Sequence, residues 1–287
     1  MIVQERFSQP DTIYVFLTSK CNHECSFCSG HDRMMAADSS EDVQIKLIEE
    51  ALAKFPDVRS FNWSGGEPLL AWKRFQHLHD FIDAARPGAE HSLMTNGVKL
   101  RWKHYERLKD FKTVNVSIDG LKRGERPLEV FLRERAFEAF EVVKELNNAG
   151  TWAVVTREQL EYPDWYEDLL ELHDAIYHLG FKYHNIQIDK HMIAPLTERH
   201  VDNFLAGYDK IRNAINTLDG LNGDFRPCSI ERIFNSPCNR CSTVYEIDSS
   251  GRTGQTPNAE VVVQNGCNEL AKAIGAEAYN RILATLE

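Results

Sequence analysis

Residues 12–28 read TIYVFLTSKCNHECSFC, a short apolar run that leads through a few polar residues into three cysteines. The run at 12–17 is rich in β-branched and aromatic residues and predicts a buried strand. Cys21, Cys25 and Cys28 then fall in the loop that leaves the carboxyl end of this strand. In barrels of parallel strands, this is the edge that carries the active site.

Strands of the same kind recur along the chain with helical stretches between them, which predicts a parallel sheet covered by crossover helices. Six strand–helix units fit into residues 12–218, fewer than the eight of a complete barrel. We therefore expect an α/β fold of the partial (β/α)6 TIM-barrel type. The six predicted strands are 12–17, 60–64, 91–95, 113–118, 151–156 and 183–188.

Two of the predicted helices have well-marked ends. The first, at 41–55, has apolar residues at helical spacing, and Ser39 and Asp42 before and within its first turn predict a capping box. The other starts near Pro163 and stops before Gly180, because proline fits the first turn of a helix and glycine commonly follows the last.

The pattern changes at Asp219, after which glycine, asparagine, proline and cysteine become frequent and the alternation is lost. We therefore expect a partial-barrel domain at 1–218 and a small cysteine-rich domain at 219–287.

Composition excludes several classes of function. The 287 residues include 43 acidic and 33 basic side chains, and the formal charge of −10 repels phosphate backbones, so we expect no nucleic-acid partner. No apolar run approaches the ~18 residues of a membrane span, and the N-terminal residues lack the pattern of a secretory signal. We expect a cytoplasmic protein with no membrane partner. In that reducing compartment, the seven cysteines favour metal sites over disulfides.

The three cysteines after the first strand predict a metal site, because free thiols packed on one loop are prone to oxidation. Three thiolates are one fewer than the four that close a structural zinc site or an ordinary iron–sulfur cluster, so one iron of a bound cluster stays open to a non-protein ligand. Two alternatives fit the same spacing: a zinc site completed by His23 or His31, and a structural cluster closed by a ligand from elsewhere.

The spacing of Cys21, Cys25 and Cys28, with an aromatic residue at Phe27, resembles the signature of the radical S-adenosylmethionine (SAM) enzymes. Three further motifs of that family follow in order, each at a predicted strand end: GGEP at 65–68, TNG at 95–97 and SIDG at 117–120. Four motifs in the same order lower the risk of a chance match. The resemblance covers about residues 12–190.

The resemblance implies a [4Fe-4S] cluster on the three cysteines and SAM bound at its open iron. The backbone carbonyls of Gly65 and Gly66 and the carboxylate of Glu67 are then expected to accept hydrogen bonds from the SAM amino group. Pro68 stiffens this turn.

Similar enzymes also use polar side chains at the mouth of the barrel to contact the ribose or carboxylate of SAM. Asn96, Ser117 and Asp119 occupy these positions here. For Asp119 and Gly120, an ordinary turn is the alternative.

The family's chemistry begins when one electron, from a flavodoxin- or ferredoxin-type donor, breaks the bond between the sulfur and the 5′ carbon of SAM. The resulting 5′-deoxyadenosyl radical abstracts a hydrogen atom from the substrate. The protein's part is orientation and a dry cavity.

A second group of cysteines lies in the expected C-terminal domain, and four thiolates can close an iron–sulfur cluster or a zinc site. The spacing of Cys241 and Gly251 resembles the SPASM and twitch domains, which carry auxiliary clusters in some radical SAM enzymes. Thr256 stands where that pattern has its next cysteine, so the ligand set departs from the family's. We expect an auxiliary iron–sulfur cluster, with a zinc ribbon as the alternative. Its expected ligands are Cys228, Cys238, Cys241 and Cys267.

The substrate is expected above the strand ends, where Asp189 follows the sixth strand. Asp189 is the candidate catalytic residue, because a carboxylate there can deprotonate a substrate radical or hold a cationic group; a loop or helix-capping carboxylate is the alternative. The SIDG motif resembles that of peptide maturases, so we expect oxidative modification of a peptide by cross-linking, thioether formation or dehydrogenation. The runner-up is dehydrogenation or rearrangement of a small polar metabolite such as an aminosugar. A zinc-stabilised binding protein is the alternative from another class.

Overall fold

The computed structural model describes residues 12–28, 38–133, 137–189, 195–222, 242–247, 259–264 and 281. Its centre is one sheet of eight strands in the order β6-β5-β4-β3-β2-β1-β7-β8. The strands are β1 (Thr12–Phe16), β2 (Ser60–Ser64), β3 (Glu90–Thr95), β4 (Thr113–Ser117), β5 (Ala149–Val155), β6 (His184–Ile188), β7 (Ser242–Ile247) and β8 (Ala259–Gln264).

Strands β1 to β6 run parallel and neighbour one another in chain order, which confirms the predicted α/β partial barrel. Parallel strands end at the same side of a sheet, so the loops that follow β1 to β6 meet along one side, the carboxyl edge. The opposite side, where the strands begin, is the amino edge.

Helices connect the strands and cover the sheet. They are α1 (Glu41–Lys54), α2 (Trp72–Ala85), α3 (Trp102–Leu108), α4 (Leu128–Arg133), α5 (Phe137–Glu145), α6 (Arg157–Leu160), α7 (Trp165–His178) and α8 (Glu198–Asn222), with a 3-10 turn at Pro68–Ala71 before α2.

Alternation of side chains along β1 and β2 builds the core beneath the carboxyl edge. Ile13 and Val15 of β1 and Phe61 and Trp63 of β2 are fully buried, while the residues between them are half-buried. Burial of one such side chain stabilises the fold by roughly 1.5–3 kcal/mol. The loops of the carboxyl edge therefore leave a firmly packed frame.

The predicted cap of α1 is wrong by one residue. The helix begins at Glu41, and its N-cap is Ser40, whose side chain accepts a hydrogen bond from the Val43 backbone. Ser39 and Asp42 do not form the expected capping box, because the extended backbone at Ser40 places its own side chain over the first turn. Helix α7 ends as predicted, before Gly180, which has a φ of 91°.

The chain beyond residue 218 also contributes to the sheet. Helix α8 continues through residues 219–222, β7 pairs in parallel with β1, and β8 pairs antiparallel with β7. The predicted ligands Cys228, Cys238, Cys241 and Cys267 lie outside the described residues, as does His31.

None of the helices within the described residues has both the length and the apolar composition that crossing a membrane requires.

Candidate active site at the carboxyl edge

The cysteine loop, residues 17–28, leaves the carboxyl end of β1. Cys21, Cys25 and Cys28 are all free thiols; Cys25 is buried and the other two are half-buried. The loop turns back on itself through a hydrogen bond from the Cys28 amide to the Cys25 carbonyl (3.1 Å). The His23 amide donates to the Cys21 sulfur at 3.4 Å. The expected grouping of three thiols on one strand-end loop is therefore present.

The Gly-Gly turn after β2 packs directly against the cysteine loop. The Gly66 amide donates to the Thr18 carbonyl and the Glu67 amide to the Lys20 carbonyl, each at 2.7 Å. A Cβ atom on Gly66 would lie 2.2 Å from the Lys20 oxygen, and one on Gly65 would lie 2.6 Å from the Thr18 oxygen. Only glycine permits this approach of two backbones.

Glu67 is turned into the protein. Its carboxylate is fully buried and accepts hydrogen bonds from the Leu69 amide (2.9 Å), the Thr95 hydroxyl (2.7 Å) and the Asn96 amide (2.7 Å). Burial raises the pKa of this carboxyl above its usual value, against the three donors. In this arrangement Glu67 ties the end of β2 to the end of β3, and Pro68 begins the 3-10 turn behind it.

Asn96 joins the end of β3 to the cysteine loop. Its side-chain nitrogen, Nδ2, donates to Asn22 Oδ1 at 2.8 Å and to the Cys21 sulfur at 3.9 Å. Its side-chain oxygen, Oδ1, accepts a hydrogen bond from the Val98 backbone amide. An amide donor beside a cysteine sulfur suits a thiolate ligand, because a hydrogen bond to the charged form favours it.

Ser117 is the last residue of β4 and Asp119 lies just after it, but the two differ in their contacts. The Ser117 side chain is buried, and its hydroxyl has no hydrogen-bond partner within the described ranges. Asp119 is also fully buried, and its carboxylate accepts from Arg126 through Nε (2.8 Å), Nη2 (2.7 Å) and the backbone amide (3.1 Å), and from the Val154 amide (2.9 Å). Its oxygens are thus engaged inside the protein.

Arg126 brings a positive charge to the cysteine loop. Its guanidinium lies over the Phe27 ring, 4.9 Å from the centroid. Burial raises the pKa of Cys25 to about 12, and the Arg126 charge acts in the opposite direction. Burial also raises the pKa of Cys21. Such thiols stay protonated in water, and they release their protons to solvent when they bind a metal, because a metal deprotonates a coordinating thiol outright.

Asp38 is a residue of the site that sequence patterns did not indicate. Its carboxylate accepts from the Thr18 hydroxyl (2.7 Å), the Ser19 amide (2.6 Å) and the Ser19 hydroxyl (2.8 Å). It therefore fixes the start of the cysteine loop. A lone aspartate far from any motif carries no local signal; Arg126 lay close to SIDG, but nothing in its spacing pointed to Phe27.

Asp189 stands at the far end of the parallel run. It follows β6, is buried, and its amide donates to the Val155 carbonyl at 2.9 Å. In the order of the sheet, β1 and β6 are the first and last of the six parallel strands.

A cavity of about 630 Å³ opens at the carboxyl edge beside the loop that follows β4. Glu125 of that loop and Glu158 and Tyr162 beyond β5 contribute to its walls. Cavities of 300–1,000 Å³ are typical of small-ligand sites.

The residues present fit an iron–sulfur cluster. The three thiols are unpaired, Cys21 is met by two N–H donors, and the loop is braced by backbone hydrogen bonds from the Gly-Gly turn. Thiolate ligands with N–H donors around the sulfurs are what such clusters require.

Comparison with known proteins agrees with this geometry. Residues 15–157, half of the chain, match the model of the Radical SAM superfamily. The chain belongs to the radical SAM superfamily. Membership implies a [4Fe-4S] cluster and SAM as cofactors, and it makes the chain a radical SAM enzyme.

Two curated relatives of this radical SAM chain carry different names. It is 25% identical over 179 residues to the radical SAM cyclopropyl synthase TigE of Paramaledivibacter caminithermalis, covering 55% of this chain and 38% of that protein. It is 30% identical over 135 residues to the GTP 3′,8-cyclase of Nautilia profundicola, covering 42% of this chain and 39% of that protein. The chain thus spans well under half the length of either relative.

Among solved structures, anSMEcpe with bound AdoMet and the Cp18Cys peptide resembles it with a TM-score of 0.62 and 16% identity, covering 96% of this chain and 83% of that one. At this identity the likeness concerns the fold.

Proposed function

We propose that this radical SAM chain binds a [4Fe-4S] cluster through Cys21, Cys25 and Cys28, cleaves SAM reductively, and oxidatively modifies a peptide. The observation that carries the proposal is the set of three unpaired thiols on one loop, braced by the Gly-Gly turn and by Asn96. When bound, the cluster and SAM supply a one-electron cleavage that yields methionine and a 5′-deoxyadenosyl radical able to abstract hydrogen.

The chain's own residues supply position and shelter in this proposal. The Gly65–Gly66 backbone sets the distance between the turn and the cysteine loop, and Glu67 holds that turn to β3. Ser117, whose hydroxyl is unpartnered within the described ranges, is the polar group at the β4 end best placed to bind SAM. Asp189 is proposed to accept a proton from the substrate.

A peptide is the proposed substrate because a solved neighbour that covers 96% of this chain, anSMEcpe, was solved with a bound Cp18Cys peptide. The cavity beside the β4 loop has room for a peptide side chain. A small metabolite is the second candidate, favoured by the 30% identity to a GTP 3′,8-cyclase.

The first test is anaerobic reconstitution of the full chain, with counts of iron and acid-labile sulfide, followed by strong reductant and SAM. We expect iron and sulfide in equal amounts and formation of 5′-deoxyadenosine. Cys28→Ala should abolish that product. Zinc without sulfide, or no cleavage of SAM by the wild type, would contradict the proposal and favour a zinc-stabilised binding protein.

The substrate class is tested by offering GTP and, separately, short peptides encoded beside the gene, and following the loss of each by mass spectrometry. A mass decrease of a peptide supports the first candidate, and consumption of GTP supports the second.

We further propose an auxiliary cluster on Cys228, Cys238, Cys241 and Cys267. Cys238→Ala should leave SAM cleavage measurable but stop substrate turnover. Equal loss of both activities would mean that these cysteines serve only the fold.

A further inference from the structure

The loop that follows β4, residues 120–127, touches the cysteine loop at two adjacent positions. Glu125 accepts a hydrogen bond from the Ser26 hydroxyl at 2.5 Å, and the Arg126 guanidinium covers the Phe27 ring. Ser26 and Phe27 are the two residues between Cys25 and Cys28. This β4 loop therefore faces the segment that joins two of the proposed cluster ligands.

Arg126 is held in one orientation. Two of its guanidinium nitrogens bind the two carboxylate oxygens of Asp119, at 2.8 and 2.7 Å, and its backbone amide binds the same carboxylate. The side chain of Asp119 is 0% exposed and that of Arg126 15%. A bidentate pair of this kind fixes both side chains, and salt screens a buried charge far less than an exposed one.

The β4 loop is also anchored from its other side. The Asp168 carboxylate accepts hydrogen bonds from the amides of Leu121 (2.9 Å), Lys122 (2.9 Å) and Arg123 (3.2 Å). A Cβ atom on Gly120 would lie 2.2 Å from Asp168 Oδ2, so the carboxylate fills the space that a larger residue would occupy. The position of Arg126 is therefore set by the protein itself.

The orientation of the Arg126–Asp119 ion pair decides whether the cysteines face its positive or its negative member. The Arg126 guanidinium lies 4.9 Å from the centroid of the Phe27 ring, between Cys25 and Cys28 in the sequence, so the positive member of the pair is the one that contacts the cysteine loop. A fixed positive charge stabilises whichever state of a nearby group is more negative. For an iron–sulfur cluster this is the reduced state, and net charge nearby is one of the factors that set its reduction potential.

We propose that Arg126, stacked on Phe27 and clamped by Asp119, is a positioning residue whose charge raises the reduction potential of the cluster on Cys21, Cys25 and Cys28. The inference rests on the proposed function, because it needs a redox-active cluster at these cysteines. It assigns Arg126 and Asp119 a joint electrostatic role, in place of the direct SAM contact first expected of Asp119.

The test is an anaerobic redox titration of the reconstituted full chain, monitored by electron paramagnetic resonance. A variant with Cys21, Cys25 and Cys28 all changed to alanine gives the spectrum of any other cluster for subtraction. For Arg126→Gln, we expect the ratio of reduced to oxidised cluster at a fixed potential to fall about tenfold, which is about 59 mV for a one-electron couple. Arg126→Lys, which keeps the charge, should lower it by less than about threefold.

Two further variants separate charge from structure. Asp119→Asn removes the negative partner and should raise the ratio. Arg123→Gln is the matched control, because Arg123 lies in the same loop and makes a similar two-point ion pair with Asp164 (3.1 and 3.0 Å), but on the exposed surface. It should leave the ratio unchanged.

An unchanged ratio in Arg126→Gln with full iron content would overturn the inference, as would an equal fall in Arg126→Lys. If Arg126→Gln does not retain the cluster, Asp119→Asn decides: a rise supports the inference, and a fall or no change overturns it. A wild type that holds no cluster or does not cleave SAM contradicts the proposed function, whereas a wild type that does both and shows no shift in Arg126→Gln contradicts this inference alone.

Discussion

Side chains of the kind that bind metals lie together at both the carboxyl edge and the amino edge of the sheet, but the two groups differ in their hydrogen bonding to the rest of the protein. At the carboxyl edge stand the three unpaired thiols of the cysteine loop. At the amino edge, His79 and Asp83 of α2 meet His91 at the start of β3, and one ligand atom from each lies within 4.8 Å of the others. A cavity of about 430 Å³ adjoins this histidine cluster.

Protein donors bind one ring nitrogen of each histidine in this cluster, while the other ring nitrogen of His79, Nε2, has no partner within the described residues. The Trp63 indole, which can only donate, binds His91 Nδ1 at 3.0 Å, so the ring proton is on Nε2 and is donated to Asp83 at 2.9 Å. Arg107, also only a donor, lies 2.8 Å from His79 Nδ1. The ring lone pair of His91, and that of His79 when its proton is on Nε2, are therefore engaged by protein donors. Proximity of ligand types alone does not make a metal site; ligand atoms without competing donors do.

The largest effect that tests this contrast is on metal content. Cys25→Ala should lose the iron of the N-terminal cluster completely, because two thiolates cannot hold it. His91→Gln should keep all of it and bind no less zinc than the wild type. Metal analysis after anaerobic reconstitution measures both, and a fall of bound metal in His91→Gln would break the contrast.

The second-largest expected effect is a difference in stability and iron content between glycine substitutions at the two edges. In Gly66→Ala, the new methyl group meets the Lys20 carbonyl at 2.2 Å, so the cysteine loop must move; we expect most of the iron to be lost and stability to fall by more than about 2 kcal/mol. In Gly88→Ala, at the amino edge, nothing lies within 4 Å of the new methyl, although a φ of 81° is strained for alanine.

This second glycine variant should therefore cost about 1 kcal/mol and leave iron content unchanged. Denaturant unfolding and iron analysis check both variants, and similar iron contents in the two would argue against a close fit of the turn to the cysteine loop.

The smallest expected effect is the response of the amino edge to acid. Burial lowers the pKa of His79 to about 4, from an ordinary value of 6.5. Below pH 6.5 the imidazole of His79 binds a proton in the unfolded chain but not in the folded chain. The contribution of His79 to stability is therefore complete above pH 6.5 and is lost as the pH falls toward 4. At pH 5, His79 should account for about 1–2 kcal/mol of lost stability.

Urea unfolding at pH 7.5 and pH 5 measures this loss, and His79→Gln should reduce it. His77→Gln, on the exposed side of the same helix, is the matched control and should keep the full acid sensitivity. An equal pH dependence in wild type and His79→Gln would be the contrary result.

The strands and the motifs at their ends could be predicted because their signals are local. The barrel strands are short segments between helical stretches, and GGEP, TNG and SIDG begin at or directly after the last residue of a strand. Their placement therefore needs only the rule that parallel strands end together. The cap of α1 was missed by one residue, since Ser39 and Ser40 are chemically alike and only the backbone at Ser40 distinguishes them.

The contacts within the site could not be predicted in the same way. The Glu67 carboxylate binds an amide of Asn96, 29 residues later, and Asp38 reaches Ser19 across 19 residues, whereas contact of Glu67 with SAM stays a prediction. Which partner a carboxylate takes depends on which strands become neighbours, and residue type does not reveal that.

The sequence by itself determined that the chain is a parallel α/β protein and that three thiols stand at the carboxyl end of its first strand. Both conclusions depend only on periodicity and spacing between residues that are close together in the sequence. Only the tertiary structure decided which polar groups face the thiols and which form hydrogen bonds with one another instead. Arg126 can place a charge beside Phe27, and His91 can accept a hydrogen bond from the Trp63 indole, only once packing has brought distant segments into contact.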